Sequence, residues 1–499
     1  MAQSLKKRYS IKLLSSVING VVGAILVAIV PKALSPIAYG QFIYLQDFFA
    51  KIIGFLDMGS SIAFFTKLSS NNSRKELIGF YFLYSFSILV LVLLFISILN
   101  RLGYLELLIP DIPAYYIYFG LFFGFFTWLT QIFIKISDAF ALTLSVESIK
   151  VVHKLLSLLF LFYFVYYTNF NLERYFYFHY ISLITFLLIL IWLFREKGVL
   201  SNLQFKIQNF KLITKEFIEY CHPLVIYNLI NIMVGIFDIW LLQKMGGSRE
   251  MGFYGLAYSL ATICFLFTVA MTPIITREFA KSYGEGNIKR MGELFSRYIP
   301  MLYSISAYFA IFLAMQSKNI LVIFTDENFK NAYYVLIIMA FYPIHQTYGQ
   351  LSGSLFYATG QTKLIRNISL LTQPLGMIIS FILIYILNLG AIGLALKMVI
   401  IQIIGVNIQL YFNLIFLNLK IKRFIWHQIY SVTIFMLLAI LSNWIIDINS
   451  PYLEFFISGL LYTVWVIIFL YFLPQIFAIT KDEIKSILLR LKNVIKRKT

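Results

Sequence analysis

The apolar stretch from Phe42 to Phe65 carries three ionisable side chains, Asp47, Lys51 and Asp57, where hydrocarbon would otherwise surround them. A charge at the centre of a bilayer costs about 2.5–3.5 kcal/mol on insertion scales, so such groups pair, face the interior of a helix bundle, or line a watery path. Asp47 and Lys51 are four residues apart, on one helical face with the acid first, the order that favours an ion pair. They either neutralise each other or set a charge on a cavity wall. Lys51 lies about nine residues into the stretch, roughly 13 Å at 1.5 Å per residue, too deep to reach the interface unaided. Asp57 adjoins Gly59, Ser60 and Ser61, small residues that permit close helix approach, and reads as the cap of a packing corner.

Other charges are isolated. Asp238 is a candidate for binding a coupling proton or sodium ion, as are Asp47 and Asp57, or it pairs with a lysine of another segment. Lys397 stands among Leu394, Ala395, Leu396, Met398 and Val399 with no acid within a helical turn, so it faces a cavity or pairs across helices. Lys135 and Asp138 fit a membrane interface, and His345 reads as a hydrogen-bonded packing residue. Lys32 and Lys244 serve as interfacial anchors or, with Lys51 and Lys397, line a central cavity with positive charge that suits an anionic substrate. No phosphate-cradling Gly-rich loop, paired-His metal helix or nucleophile elbow is present. The expectation is therefore no enzyme, no metal, no cofactor, and no nucleotide hydrolysis by this chain. Cys221 and Cys264 fall in or beside apolar segments and form no disulfide framework.

The elements that must hold these groups are helices. Of the 499 residues 60% are hydrophobic and only 13% charged, whereas soluble domains run to roughly 45–50% and about 25%. The excess falls in blocks of about 20 residues, the length that crosses about 30 Å of hydrocarbon. Runs such as Phe80 to Leu99 are apolar on every face, which excludes an alternating barrel strand. Fourteen spans are expected between residues 10 and 475, span 2 at 42–66 and span 13 at 429–446 among them. The apolar run after Lys6, Lys7 and Arg8 is too long for a signal-peptide core and reads as a retained first span.

The net charge of +19 lies mostly in alternate loops, including Arg195, Lys197, Lys206, Lys211 and Lys215 in one and Arg277, Lys281, Lys289 and Arg290 in another. That pattern follows the positive-inside rule and leaves no soluble domain to grip nucleic acid. It puts both termini, Asn71 and Lys206 in the cytoplasm, with Glu106 and Lys330 outside. The outer loops are short, so function lies between the helices. The tail from Lys481 has an apolar stripe at Ile484, Ile487, Leu488 and Leu491 and should lie on an anionic leaflet.

Lys32 precedes Gly40 by the spacing at which Lys244 precedes Gly252, and an offset of 212 residues relates both pairs and also Lys154 to Arg366. This suggests two six-helix halves, 1–194 and 217–416, joined by a basic linker at 195–216. Two further spans at 417–475 and a basic tail at 476–499 follow. Substrate sites of repeat-built transporters lie where the repeats meet.

Leu34-Ser35-Pro36-Ile37-Ala38-Tyr39-Gly40-Gln41-Phe42, followed by Leu56-Asp57-Met58-Gly59-Ser60-Ser61-Ile62-Ala63, resembles the opening helices of bacterial polysaccharide flippases. These are the Wzx type of the multidrug/oligosaccharidyl-lipid/polysaccharide (MOP) exporter superfamily. Met251-Gly252-Phe253-Tyr254 with Ala257 and Pro273, Ile323-Phe324-Thr325 with Phe329 and Ala332, and Leu389-Gly390-Ala391-Ile392-Gly393-Leu394-Ala395 resemble later parts of the same family. The resemblance implies an all-α membrane protein with two six-helix lobes, two C-terminal helices and a central cationic cavity. It also implies movement of undecaprenyl-diphosphate-linked oligosaccharide, such as an O-antigen or capsule unit, to the outer leaflet of a bacterial inner membrane. A polymerase of the same pathway would be a partner, and H+ or Na+ the counter-ion. One departure is that many relatives carry an arginine after the position of Gly59, where the nearest basic residue here is Lys67. A cation-coupled multidrug exporter is the alternative, and a membrane glycosyl polymerase or ligase is disfavoured by the short outer loops.

Overall fold

The computed structural model describes residues 5–70, 73–200 and 207–483, and all regular structure among them is helical. Asn71, Lys206 and the apolar stripe of the tail lie outside the described residues. The chain runs through α1 (Leu5–Ala33), α2 (Pro36–Asp57), α3 (Ser60–Ser70), α4 (Glu76–Arg101), α5 (Leu105–Leu108), α6 (Ala114–Ala139), α7 (Thr143–Tyr167) and α8 (Leu172–Glu196). It continues with α9 (Ile207–Ile263), α10 (Leu266–Gly284), α11 (Ile288–Met315), α12 (Ser317–Phe324), α13 (Tyr333–Met339) and α14 (Phe341–Ala358). The last four are α15 (Thr362–Ser380), which runs on as a wider turn over Phe381–Ile386, then α16 (Gly390–Phe416), α17 (Ile421–Ile445) and α18 (Pro451–Phe472).

Local chemistry sets several boundaries. Pro36 opens α2 where its missing N–H costs nothing, and the Ser35 hydroxyl accepts from the Ala38 N–H at 3.2 Å. The helix stops at two left-handed residues, Met58 (φ 44°) and Gly59 (φ 84°), and α3 leaves at 59° to it. That conformation costs roughly 1–2 kcal/mol at a residue with a Cβ, so Met58 needs compensation from its neighbours. Gly247 (φ 69°, ψ −178°) breaks the 57-residue stretch of α9.

Among the described residues ten helices are long and apolar enough to cross a membrane, and the bent pair α2 and α3 makes eleven. Three of the fourteen expected spans do not meet that measure. The first has a described apolar part of only Gly20–Ala33, the eighth is divided between the end of α9 and α10, and the tenth is divided between α13 and α14. Span 2 is a broken rather than a straight helix. Exposed residues such as Leu91, Leu94 and Phe95 on α4, Leu155, Leu156 and Leu159 on α7, and Leu460 and Ile467 on α18 need a hydrocarbon solvent. The chain is a multi-pass membrane protein.

Two compact units form. The first comprises Met1–Gly255 with Gln373–Leu394. In it α6 packs on α2, where Gly120 and Gly124 bring the backbone against Leu45 and Phe49; a Cβ on either glycine would lie within 3 Å of those side chains. Phe64, Tyr81, Ile132, Phe133 and Phe194 form its buried core. The second unit comprises Leu256–Thr372 with Ala395–Thr499. There α11 packs against α10, α14 and α17 around Phe279, Phe295, Tyr303, Tyr348 and Phe435.

Candidate functional site

In the first unit a polar stripe runs down α9. Asn231, Gly235 and Asp238 are spaced i, i+4 and i+7, hence on one helical face. Gln373 and Ser380 on α15, also seven apart, meet the two polar residues as rungs. The Gln373 amide donates to Asn231 Oδ1 at 2.8 Å, and the Ser380 hydroxyl donates to Asp238 Oδ1 at 2.6 Å. Seven residues of helix set the rungs about 10 Å apart. Gly235 lies between them, and the stem of Lys51 from α2 fills the space left by its missing side chain: a Cβ there would stand 2.7 Å from Lys51 Cε. Lys51 Nζ is 3.4 Å from Asp47 Oδ2, with both side chains partly exposed at 27% and 41%. The pair expected from the i, i+4 spacing therefore forms. The two acids differ in setting, because Asp238 is buried and Asp47 is open.

Asp57 is engaged in the helix break. Its Oδ1 accepts from the Ser60 hydroxyl (2.7 Å), the Ser61 N–H (3.1 Å) and the Tyr81 hydroxyl (2.6 Å), and Oδ2 accepts from the Ser61 hydroxyl (2.8 Å). The carboxylate sits at the N-terminus of α3, where the first N–H groups and the helix dipole favour an anion. This offsets the strain at Met58. Lys135 Nζ on α6 donates to Ser61 Oγ at 2.5 Å, which joins Lys135 to the same network.

Lys32 and Lys244 are both exposed, at the end of α1 and within α9. Lys244 stands over the Trp240 ring at 4.8 Å. Gly40 and Gly252 meet: a Cβ on Gly40 would overlap the Ser248 carbonyl, and one on Gly252 would overlap the Pro36 carbonyl. Beside them the 107–111 turn is tied down through its carbonyls. Trp240 donates to Leu107 O, Tyr44 to Leu108 O, Gln243 to Pro110 O and Gln41 to Asp111 O, at 3.0 to 3.4 Å. Glu250 accepts the Ala391 N–H at 2.8 Å, capping α16.

Lys397 lies in the second unit, buried at 4% exposure within α16. His345 is edge-on to Tyr303, with ring centres 5.9 Å apart. His427 is buried in α17, which starts eight residues earlier than the sequence suggests. Sequence reasoning also passed over Glu147 of α7, buried and accepting from Ser15 at 2.5 Å, because it fell just outside the fifth span, expected at 149–168.

Outside the spans Glu216 joins the start of α9 to the first helices. Its carboxylate is 3.1 Å from Lys67 Nζ and accepts from Arg74 at 3.2 Å. Burial alone would raise its pKa, but hydrogen bonds and charge from Arg74 and Lys67 outweigh burial and hold it below the ordinary value. Lys75 donates to the Gly198 carbonyl at 2.7 Å.

Residues 223–382, which include the Asn231–Gln373 and Asp238–Ser380 rungs, match the model of the MatE family. Among solved structures, the lipid II flippase MurJ in an inward closed conformation is similar with a TM-score of 0.66 at 16% identity, over 92% of this chain and 98% of that one. A multidrug resistance MATE family transporter of the MOP superfamily, inward-facing, gives 0.58 at 14% identity over 84% and 96%. A MATE in complex with MaD3S gives 0.52 at 15% over 83% and 96%. No curated protein matches the chain in sequence. At these identities the likeness is one of fold alone, shared with the flippase MurJ and with MATE transporters.

Proposed function

We propose that the chain is a flippase moving an undecaprenyl-diphosphate-linked oligosaccharide from the inner to the outer leaflet of a bacterial cell membrane by alternating access. Both termini lie in the cytoplasm in this reading, and the repeat halves at 1–194 and 217–416 are the moving parts. The observation that carries it is Lys51, a cation at membrane depth seated in the gap at Gly235 between two polar rungs. A positive charge in a low-dielectric setting suits a diphosphate far better than a neutral or cationic drug. Lys397 supplies a second cation, Lys32 and Lys244 attract the anion at the outer ends, and Asp238, Asp57 and Asp47 are candidates for a coupling H+ or Na+. Asp57 is the least suited of the three, because its carboxylate already accepts four hydrogen bonds. The fold shared with a lipid II flippase over nearly its whole length supports a lipid-linked substrate.

The MatE match favours a second reading, a cation-coupled multidrug exporter. Complementation separates the two. Restored surface polysaccharide in a flippase-deficient strain, lost with Lys397→Ala and partly kept with Lys397→Arg at equal membrane levels, is the expected result. Unchanged polysaccharide with a gain in drug resistance would replace the flippase by the exporter.

A further inference from the structure

A second ionisable track lies in the first unit, on α7. Glu147, Lys150, Lys154 and Ser157 are spaced i, i+3, i+7 and i+10, so they share one face of the helix. Val152, Leu155, Leu156 and Leu159 on the opposite face are exposed, as lipid-facing residues are. The polar stripe therefore points into the protein, where α1 packs on α7 and the Ser15 hydroxyl donates to Glu147 at 2.5 Å. Lys150 Nζ is 3.9 Å from the same carboxylate. Lys154 stands further in, roughly 16 Å along the helix from Thr143 at 1.5 Å per residue, too deep to reach the interface unaided. Among the described residues, which include every acid of the chain, it has no hydrogen-bond or ion-pair partner.

Beyond Lys154 the track meets another base. His153 bonds Thr185 at 3.1 Å and Ser157 bonds Ser182 at 2.9 Å, which fixes the antiparallel register of α7 and α8. In that register His179 is level with Phe160, roughly 9 Å along the axis from Lys154 and within electrostatic reach of its ammonium. Phe42 of α2, Phe123 of α6, and Tyr175 and Phe178 of α8 wall the imidazole at 4.5 to 5.2 Å between ring centres. Its Nε2 is sealed from solvent and makes no hydrogen bond among the described residues. Lys150 is the charge that acts on Lys154, and Lys154 acts on both His153 and His179. Two bases in reach of each other, with no acid between them, resist double protonation in a low dielectric and titrate as one coupled group.

We propose that Lys154 and His179 hold one exchangeable proton between them and carry it as the coupling ion, with the Glu147 end of the stripe as its connection to the cytoplasm. The proton site stands on the geometry of α7 and α8, and its part in coupling rests on the flippase reading. Loaded, the pair is a lysinium with a neutral imidazole, or an imidazolium with a neutral amine. Release of the proton leaves both nitrogens neutral, so the empty carrier returns through hydrocarbon without a charge to solvate.

Potentiometric titration of the purified full chain in detergent reads this proton directly. Between pH 9 and pH 5 the unaltered chain should take up about one proton per molecule more than Lys154→Gln combined with His179→Gln. Equal uptake would show that Lys154 stays charged and His179 neutral throughout, and would overturn the proposal. Lys154→Gln removes an uncompensated charge, so its melting temperature should not fall. Complementation is the second measurement. Lys154→Arg keeps the charge but cannot release it, so surface polysaccharide should fall about tenfold at equal membrane levels, as with Lys154→Gln. Full activity of Lys154→Arg beside a loss in Lys154→Gln would show a lysine that holds an anion, and would overturn the proton role. If the unaltered chain restores no polysaccharide, the flippase reading fails while the titration still decides the proton site.

Discussion

Replacing Lys51 with alanine separates stability from transport, because the structure assigns the residue little of one and much of the other. Its pair with Asp47 is partly exposed at 3.4 Å, so the pair contributes about 0.3–0.5 kcal/mol and its loss should barely move the thermal midpoint. A diphosphate oxygen about 4 Å from the ammonium at an effective dielectric of about 20 interacts by about 4 kcal/mol, nearly three decades in affinity. Lys51→Ala should therefore lower transport on the order of 10²- to 10³-fold with the protein still folded, and Lys51→Arg should recover part of it. Gly235→Ala offers a second perturbation that leaves the charge in place. Its Cβ would stand 2.7 Å from Lys51 Cε and 3.3 Å from Cδ, so the flexible end of the lysine must swing away. Transport should fall about tenfold while melting stays within error. The assay is complementation scored by surface polysaccharide, with membrane levels from immunoblots and melting of the purified protein. If Asp47→Ala combined with Lys51→Ala restores the activity that Lys51→Ala loses, Lys51 only neutralises Asp47 and the reasoning fails.

Ser380→Ala removes the hydroxyl that donates to buried Asp238 at 2.6 Å and should cost about 1.5–3 kcal/mol in thermal or denaturant melting; no change would show that this rung adds nothing to stability. Gly252→Ala should prevent accumulation of folded protein, since its Cβ overlaps the Pro36 carbonyl, whereas Gly23→Ala, with nothing within 4 Å, should be tolerated; equal yields would show that the two turns separate easily. Glu216 has a depressed pKa, so its contribution to stability is present above the unfolded value of about 4.3 and is lost as pH falls through the folded one. Melting followed from pH 6 to pH 3 should show an acid-side loss that Glu216→Gln reduces, and identical acid limbs in the two proteins would remove the cluster from the account.

The helices were legible because hydrocarbon demands long apolar runs, and the Asp47–Lys51 pair because both residues lie on one helix four apart. What lies between helices was not. Ser380 is 142 residues from Asp238 and Gln373 is 142 from Asn231, and no local pattern announces either rung. The bend at Met58 was hidden because methionine carries no turn signal, although Gly59 beside it does. The start of α17 was placed late because Lys422, Arg423 and His427 lower the local hydrophobicity, yet these residues continue the helix to the membrane edge. The offset of 212 residues suggested a repeat, but that Gly40 and Gly252 face one another required the backbone.

The first unit is assembled from two distant stretches of chain, Met1–Gly255 and Gln373–Leu394, and this has a consequence for biogenesis. When the ribosome has delivered Gly255, Asp238 lacks Ser380 and Glu250 lacks the Ala391 N–H. Some 140 further residues must emerge first, roughly 7–30 s at roughly 5–20 residues per second. During that interval a carboxylate that ends up buried waits in the membrane or at the translocon without its hydroxyl donor. A nascent chain arrested before residue 380 therefore presents an unfinished first unit, the form that a membrane insertase or quality-control protease would meet.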